Sequence, residues 1–215
     1  MKRLGARSLR GLYAIVDPAA CAGRDPVGVA RAILRGGCAV LQLRDKHASD
    51  RALVRSAREM LAACRDAGVP FVVDDRLDVA MAIGADGVHL GQDDLPLSDA
   101  RAIAGDLVIG VSTHDLDQLA AASEGGADLV GFGPVFSTGT KALPDPVVGL
   151  EGLRDAVAAS RVPVVAIGGL DLARGALAFA AGAPLVAAIS AVCGAADPES
   201  AARALHAVTG GGRIS

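Results

Sequence analysis

Short apolar runs alternate along the chain with longer stretches in which Ala, Leu, Val and Arg recur at helical spacing. The runs fall at 12–16, 39–43, 71–73, 87–90, 107–111, 129–131, 164–167 and 185–189. They are continuous rather than alternating, the pattern of parallel strands buried on both faces. The segments between them read as helices. Residues 25–35 place Val29, Ala32 and Ile33 on one face, and 49–67 gather Leu53, Ala57, Met60, Leu61 and Cys64 behind Ser49 as a predicted N-cap. Residues 117–123, 149–159, 171–181 and 198–208 continue the series. Gly68, Gly84, Gly126 and Gly182 follow helical stretches, where a left-handed residue often ends a helix.

A local phrase repeats between helix and strand: Gly36-Gly37-Cys38-Ala39, Gly84-Ala85-Asp86-Gly87, Gly126-Ala127-Asp128 and Gly182-Ala183-Pro184. Such repetition argues for one βα unit used many times, not for two unrelated domains. Eight units in 215 residues predict a single (β/α)8 TIM barrel of the α/β class. An open doubly wound sheet would want a glycine-rich turn after the first strand, and Asp17-Pro18-Ala19-Ala20 is not one. The expected organisation is an N-terminal extension over 1–10, the barrel over 11–209 and a flexible tail over 210–215.

Composition changes this picture in three ways. An aromatic content of 2 %, with no Trp, leaves the core to small aliphatic residues and denies nucleic acid a base-stacking surface. A net charge of −3 excludes a general polyanion binder, so no nucleic-acid partner is expected and any phosphate must be held locally. The four cysteines have no zinc-site or C-x-x-C spacing and read as reduced, buried thiols of a cytoplasmic protein. The uncharged segment 175–196 is long enough to span a bilayer, but Gly182-Ala183-Pro184 interrupts it. It reads as a short helix, a turn and a buried strand, with no membrane association. The apolar outer faces of the helices leave room for a homo-oligomer interface of unassigned position.

Barrels carry their chemistry at the C-terminal ends of the strands. Polar residues concentrate there: Gln42-Leu43-Arg44-Asp45-Lys46, Asp74-Asp75-Arg76, Gly91-Gln92-Asp93-Asp94, Ser112-Thr113-His114, the stretch from Gly133 to Lys141, Gly168-Gly169 and Ser190. Arg44 and Lys46, two apart on an extended segment, point the same way and suit one anionic group. Asp75 and Asp94 end adjacent strands, and magnesium is commonly held by one or two carboxylates with water and substrate phosphate. The plainer alternative for both is a loop cap. Thr138, Gly139, Thr140 and Lys141 offer hydroxyls, N–H groups and a cation. Gly168-Gly169 and Ile189-Ser190 precede helices where barrels often hold phosphate. His89 lies within a strand and is expected to be a satisfied structural histidine. With no G-x-S-x-G elbow or nucleophilic cysteine context, the residues alone describe a magnesium-assisted enzyme for phosphorylated small molecules, with two anion sites.

Taken in order, several of these segments are recognisable. They are Gln42-Leu43-Arg44-Asp45-Lys46, Asp75-Arg76, Gly87-Val88-His89-Leu90-Gly91-Gln92-Asp93-Asp94-Leu95-Pro96, Gly110-Val111-Ser112-Thr113-His114, Gly133-Pro134-Val135-Phe136-Ser137-Thr138-Gly139-Thr140-Lys141, Gly149-Leu150-Glu151-Gly152-Leu153 and Ala166-Ile167-Gly168-Gly169. Together, from about Tyr13 to Val192, they resemble the thiamine-phosphate synthase family. The resemblance implies a transferase that couples hydroxymethylpyrimidine diphosphate to hydroxyethylthiazole phosphate, giving thiamine phosphate and pyrophosphate. It implies Asp75 and Asp94 as Mg2+ ligands. Gln42, Leu43, Arg44, Asp45, Lys46, Asp74, Ser112 and Lys141 would hold the pyrimidine diphosphate. Thr138, Gly139, Thr140, Gly169, Ile189 and Ser190 would hold the thiazole phosphate. The family typically has Asn before the first metal-binding Asp, and here that residue is Asp74, which can only accept when ionised. Asn at 74 is therefore expected to preserve or improve turnover. A thiazole tautomerase, or a non-catalytic phosphate-binding barrel of the same pathway, is the competing reading. The first has no evident use for Arg44, Lys46, Asp75, Asp94 and Lys141 together, and the second would release no pyrophosphate.

Overall fold

The computed structural model describes residues 9–138 and 146–211. Gly139, Thr140 and Lys141, most of the expected N-terminal extension and most of the tail fall outside the described residues. Eight parallel strands close into a barrel in chain order. They are β1 (Gly11–Val16), β2 (Val40–Leu43), β3 (Phe71–Asp74), β4 (Gly87–Leu90), β5 (Val108–Thr113), β6 (Leu129–Phe132), β7 (Val164–Ala166) and β8 (Leu185–Ala188). Around them run α1 (Pro26–Gly36), α2 (Asp50–Ala67), α3 (Leu77–Ile83), α4 (Leu97–Ile103), α5 (Leu116–Glu124), α6 (Gly149–Ala159), α7 (Leu172–Ala180), α8 (Ser190–Cys193) and α9 (Pro198–Val208). This is the (β/α)8 TIM barrel that the repeated unit predicts.

Alternation along each strand sorts side chains into two cores. On β1, Tyr13 and Ile15 point inward and join Val40, Val72, Val108, Leu129, Val165, Leu185 and Ala187 in the barrel interior. Leu12, Ala14 and Val16 point outward and meet the apolar faces of the helices, among them Ile33, Leu53, Met60, Leu119 and Leu153. Aspartates start four of the helices. Asp25, Asp115, Asp171 and Asp197 each accept hydrogen bonds from N–H groups of the first turn, and Pro follows Asp25 and Asp197 at the first helical position. Ser49 stands at the N-cap of α2 as expected, but its side chain makes no cap hydrogen bond.

Several boundaries differ from the sequence expectation. Helices α3 and α4 have seven residues each, too few turns for a 3.6-residue period to register. Strand β5 runs on through Ser112 and Thr113, so both belong to the strand and not to the loop after it. Gly68 and Gly84 are left-handed caps, whereas Gly125 and Ala181 cap α5 and α7 and leave Gly126 and Gly182 to turn into the next strand. Residues 175–196 hold the end of α7, a turn, β8 and α8. Among the described residues, no helix is long and apolar enough to cross a membrane.

The repeated Gly-Ala-Asp phrase has a mechanical meaning. Asp86 Oδ2 accepts from the Phe71 N–H at 2.9 Å, and Asp128 Oδ2 accepts from the Ile109 N–H at 2.9 Å. Each carboxylate thus ties the N-terminal end of the preceding strand to the one it introduces. The phrases without Asp introduce β2 and β8, the two neighbours of β1, and on β1 it is His206 of α9 that supplies an acceptor. Its Nδ1 accepts from the Leu12 N–H at 3.2 Å, and the ring fills space left by Gly11, Gly37 and Gly211. With the N-terminal end closed, the C-terminal end is free to vary.

Candidate functional site

A cavity of about 340 Å³ opens at the C-terminal ends of the strands, and every strand or the loop after it contributes to its wall. Gln42, Arg44, Lys46, Asp74 and Ser112 line it, with Asp75 and Asp94. Thr138, Gly169, Ile189 and Ser190 line it from the side of β6 to β8. Leu43 and Asp45 do not. Leu43 points outward into the core between strands and helices. Asp45 turns its carboxylate back on its own loop, accepting from the N–H groups of His47 at 3.1 Å and Ala48 at 3.0 Å.

The β2 and β3 ends build a crowded, charged corner. Arg44 Nε and Lys46 Nζ converge on one oxygen of Asp74, at 3.6 Å and 3.5 Å, which bears out that the two cations point the same way. Arg44 also pairs with Asp17 at the end of β1, and Lys46 with Asp75. Burial pushes Asp74 up to about 6, although Lys46 and Arg44 pull in the opposite direction. Burial also works against the Lys46 ammonium, but Asp75 and Asp74 more than reverse it and its pKa is raised. Asp75 holds a left-handed φ of 59°, unusual for a residue with a side chain, and its N–H donates to the His89 carbonyl at 2.7 Å. Asp94 sits against it, accepting from the Gly91 N–H at 2.7 Å. Partial burial and the neighbouring Asp75 carboxylate both raise Asp94.

Behind this corner runs a hydrogen-bond chain through adjacent strands. The Tyr13 hydroxyl donates to Gln42 Oε1 at 2.6 Å, and Gln42 Nε2 donates to Asp74 Oδ1 at 2.7 Å. Tyr13 therefore fixes which end of the Gln42 amide faces Asp74. Both side chains are buried, at 2 % exposure each, so a flipped amide would leave polar atoms unpaired. The sequence reading missed Tyr13 and Asp17. Asp17 obeys the strand-end rule that singled out the others, and Tyr13 is the single tyrosine of the chain.

The opposite side of the cavity is built from backbone. Gly168 and Gly169 both have positive φ and pack on the loop after β6. A Cβ at Gly169 would lie 2.4 Å from the Ser137 carbonyl oxygen, so no other residue fits. Val135 and Phe136 donate their N–H groups to the carbonyls of Ile167 and Gly168 at 2.8 Å and 3.1 Å. Arg174 reaches back from α7 to the Gly169 carbonyl at 3.0 Å while its guanidinium stacks 5.1 Å from the Phe136 ring. Among the described residues, the Gly169 N–H makes no hydrogen bond. The first N–H groups of α8, beginning at Ser190, have no intrahelical acceptor. Gly169 and Ser190 line the cavity, and unpaired N–H groups at its wall suit an anion.

His89 departs from its expected role as a satisfied structural histidine. Its Nε2 lies 2.9 Å from Ser112 Oγ, but Nδ1 is sealed from solvent with no partner among the described residues, and the ring lines the cavity.

Comparison with known proteins places the chain in a family. A model of the thiamine monophosphate synthase family matches residues 12–192. The chain belongs to this family. It is 44 % identical over 197 residues to the thiamine-phosphate synthase of Chloroflexus aurantiacus, covering 92 % of this chain and 91 % of that one. It is 48 % identical over 181 residues to that of Chlorobium phaeovibrioides, covering 84 % and 87 %. The thiamine phosphate pyrophosphorylase of Pyrococcus furiosus superimposes with a TM-score of 0.87 at 37 % identity, over 94 % of this chain and 96 % of that structure. The transferase class implied by the sequence follows from membership of the thiamine monophosphate synthase family.

Proposed function

We propose that this cavity joins hydroxymethylpyrimidine diphosphate to hydroxyethylthiazole phosphate, giving thiamine phosphate and pyrophosphate. One observation carries the reading: a charged corner and a separate backbone N–H cradle face each other across one cavity, as two phosphorylated substrates require. Arg44 and Lys46, with Lys141 outside the described residues, hold the diphosphate. From the 42–46 segment, Gln42 acts through its side chain, while Leu43 anchors the strand in the core and Asp45 shapes the loop that carries Arg44 and Lys46. Asp74 accepts from the pyrimidine amino group. Gly169, Ile189 and Ser190 hold the thiazole phosphate, with Thr138, Gly139 and Thr140 completing that loop.

Asp75 and Asp94 fit a hard cation: two adjacent carboxylates with only oxygen donors. Among the described residues, no group of three or more His, Cys, Asp or Glu is placed to hold a metal, so substrate oxygens and water would complete the coordination. Asp75 and Asp94 would hold magnesium, which would supply positive charge to offset the charge of the departing diphosphate. Arg44 and Lys46 stabilise the charge that collects on the diphosphate as the C–O bond breaks and its electron pair departs. The apolar floor of Ile15, Val165, Ile167 and Ala187 keeps water from the pyrimidinylmethyl cation. The thiazole nitrogen, held close by its phosphate, supplies the lone pair for the new N–C bond. The four described cysteines are free and buried, in keeping with a cytoplasmic enzyme.

The test is an assay of purified protein with both substrates, with magnesium and with a chelator. Equal, magnesium-dependent formation of thiamine phosphate and pyrophosphate is expected. No product from folded protein beside a working control would move the reading to a tautomerase or a non-catalytic binder.

A further inference from the structure

His89 is a half-buried imidazole that the proposed reaction does not use, and the fold goes out of its way to admit it. A Cβ at Gly110 would lie 2.6 Å from its Nδ1, and one at Gly131 would lie 3.3 Å from its Cε1. Glycines on β5 and β6 thus clear the slot in which the ring lies. Among the described residues one ring nitrogen has a hydrogen-bond partner and the other has none, so the imidazole carries a single proton, on one nitrogen or the other. The surroundings decide which. If Nδ1 carried it, a donor would be sealed against the Gly110 backbone without an acceptor, and buried orphan N–H groups are costly and rare. If Nε2 carries it, the N–H donates to Ser112 Oγ at 2.9 Å and only a bare lone pair is sealed. Ser112 Oγ then accepts from His89, and among the described residues its own proton has no acceptor within the wall. The hydroxyl must donate into the cavity it lines.

We propose that His89 is a positioning residue: it fixes Ser112 as a hydrogen-bond donor toward an acceptor atom of the pyrimidine diphosphate. This rests on reading the cavity as the site for that substrate. The acceptor is a ring nitrogen or a diphosphate oxygen, the two lone-pair sources that the molecule offers. Without the imidazole, Ser112 is free to rotate its proton and the donor is no longer set in advance. Binding then bears the cost of orienting it.

Two measurements separate this proposal from the reading beneath it. Nitrogen-15 NMR of the histidine rings in the ligand-free protein reports the tautomer without any assay. A proton on Nε2 of His89 is expected, and a proton on Nδ1 overturns the proposal whatever the enzyme does. Kinetics then compare His89→Leu with His89→Gln, whose amide nitrogen can replace the Nε2 donor. His89→Leu is expected to raise KM for the pyrimidine diphosphate about tenfold, with KM for the thiazole phosphate unchanged and most of the loss restored in His89→Gln. Inhibition by inorganic pyrophosphate and by the unphosphorylated pyrimidine alcohol identifies the acceptor, since only the inhibitor bearing it weakens in His89→Leu. Should both variants lose stability alike while both KM values stay fixed, His89 is a packing residue and the proposal fails. Absence of turnover in the unaltered enzyme would instead remove the functional reading and leave the tautomer result standing.

Discussion

Asp128 at the N-terminal end of the barrel and Asp75 at the C-terminal end are both carboxylates beside a strand and within reach of a cation. Asp128 is fully engaged: it accepts from the Ile109 N–H and from Arg101 Nη2 at 2.6 Å, with side-chain exposures of 8 % and 17 % for the pair. Asp75 shares a corner with Asp74, Asp94, Lys46 and Arg44 and takes a backbone conformation that costs energy. One end uses charge to finish hydrogen bonds that hold strands in register. The other packs like charges together and holds Asp74 and Asp94 above their ordinary values. Such crowding is poor stability design and good preparation for a cation and a polyanionic substrate.

Asp75→Asn should separate the two ends most sharply. Turnover should fall on the order of 10²–10³-fold, while the thermal midpoint holds or rises because a repulsive carboxylate is gone. Steady-state assays at saturating magnesium beside a melting curve check this, and a destabilised but active variant would erase the distinction. Asp128→Ala should do the converse. Removing one partner of this buried pair should cost about 3 kcal/mol of stability, read by denaturant unfolding, with kcat unchanged per folded molecule. Tyr13→Phe probes the boundary between the ends, because Tyr13 is part of the interior core and also orients Gln42. An increase of about fivefold in KM for the pyrimidine diphosphate is expected, with kcat nearly constant. A loss of stability alone would assign Tyr13 to the core.

The smallest effect concerns pH and His206. Burial holds its folded pKa below that of an exposed imidazole, and Nδ1 must be bare to accept from the Leu12 N–H. Its ring faces Gly11, Gly37 and Gly211, none of which carries a charge to offset protonation. The unfolded chain therefore takes up this proton first. The contribution is complete above roughly pH 6.5 and is lost as pH falls through the lower folded value. Thermal midpoints from pH 8 to pH 5 should fall less steeply in His206→Asn, whose side-chain oxygen accepts without titrating. Parallel curves would show that His206 does not govern this end of the barrel.

The sequence by itself determined the number of strands, their parallel order and the end of the barrel at which the cavity and its polar residues gather. These depend on local apolar runs and on a rule of position, and both are written along the chain. It also determined Arg44 and Lys46 as a converging pair, because spacing on an extended segment fixes direction. Tertiary structure alone decided the rest. Leu43 turned outward because side chains alternate across the strand, and Asp45 was taken up by its own loop. The Gly-Ala-Asp phrase was visible as a repeat, but its purpose needed the neighbouring strand whose N–H it satisfies. Asp17 carried the strand-end signal, but Tyr13 and His89 carried no local signal of a role, since each acts on a residue from another βα unit. Hydrogen bonds between strands are made by closure of the barrel, and no window along the chain contains both partners.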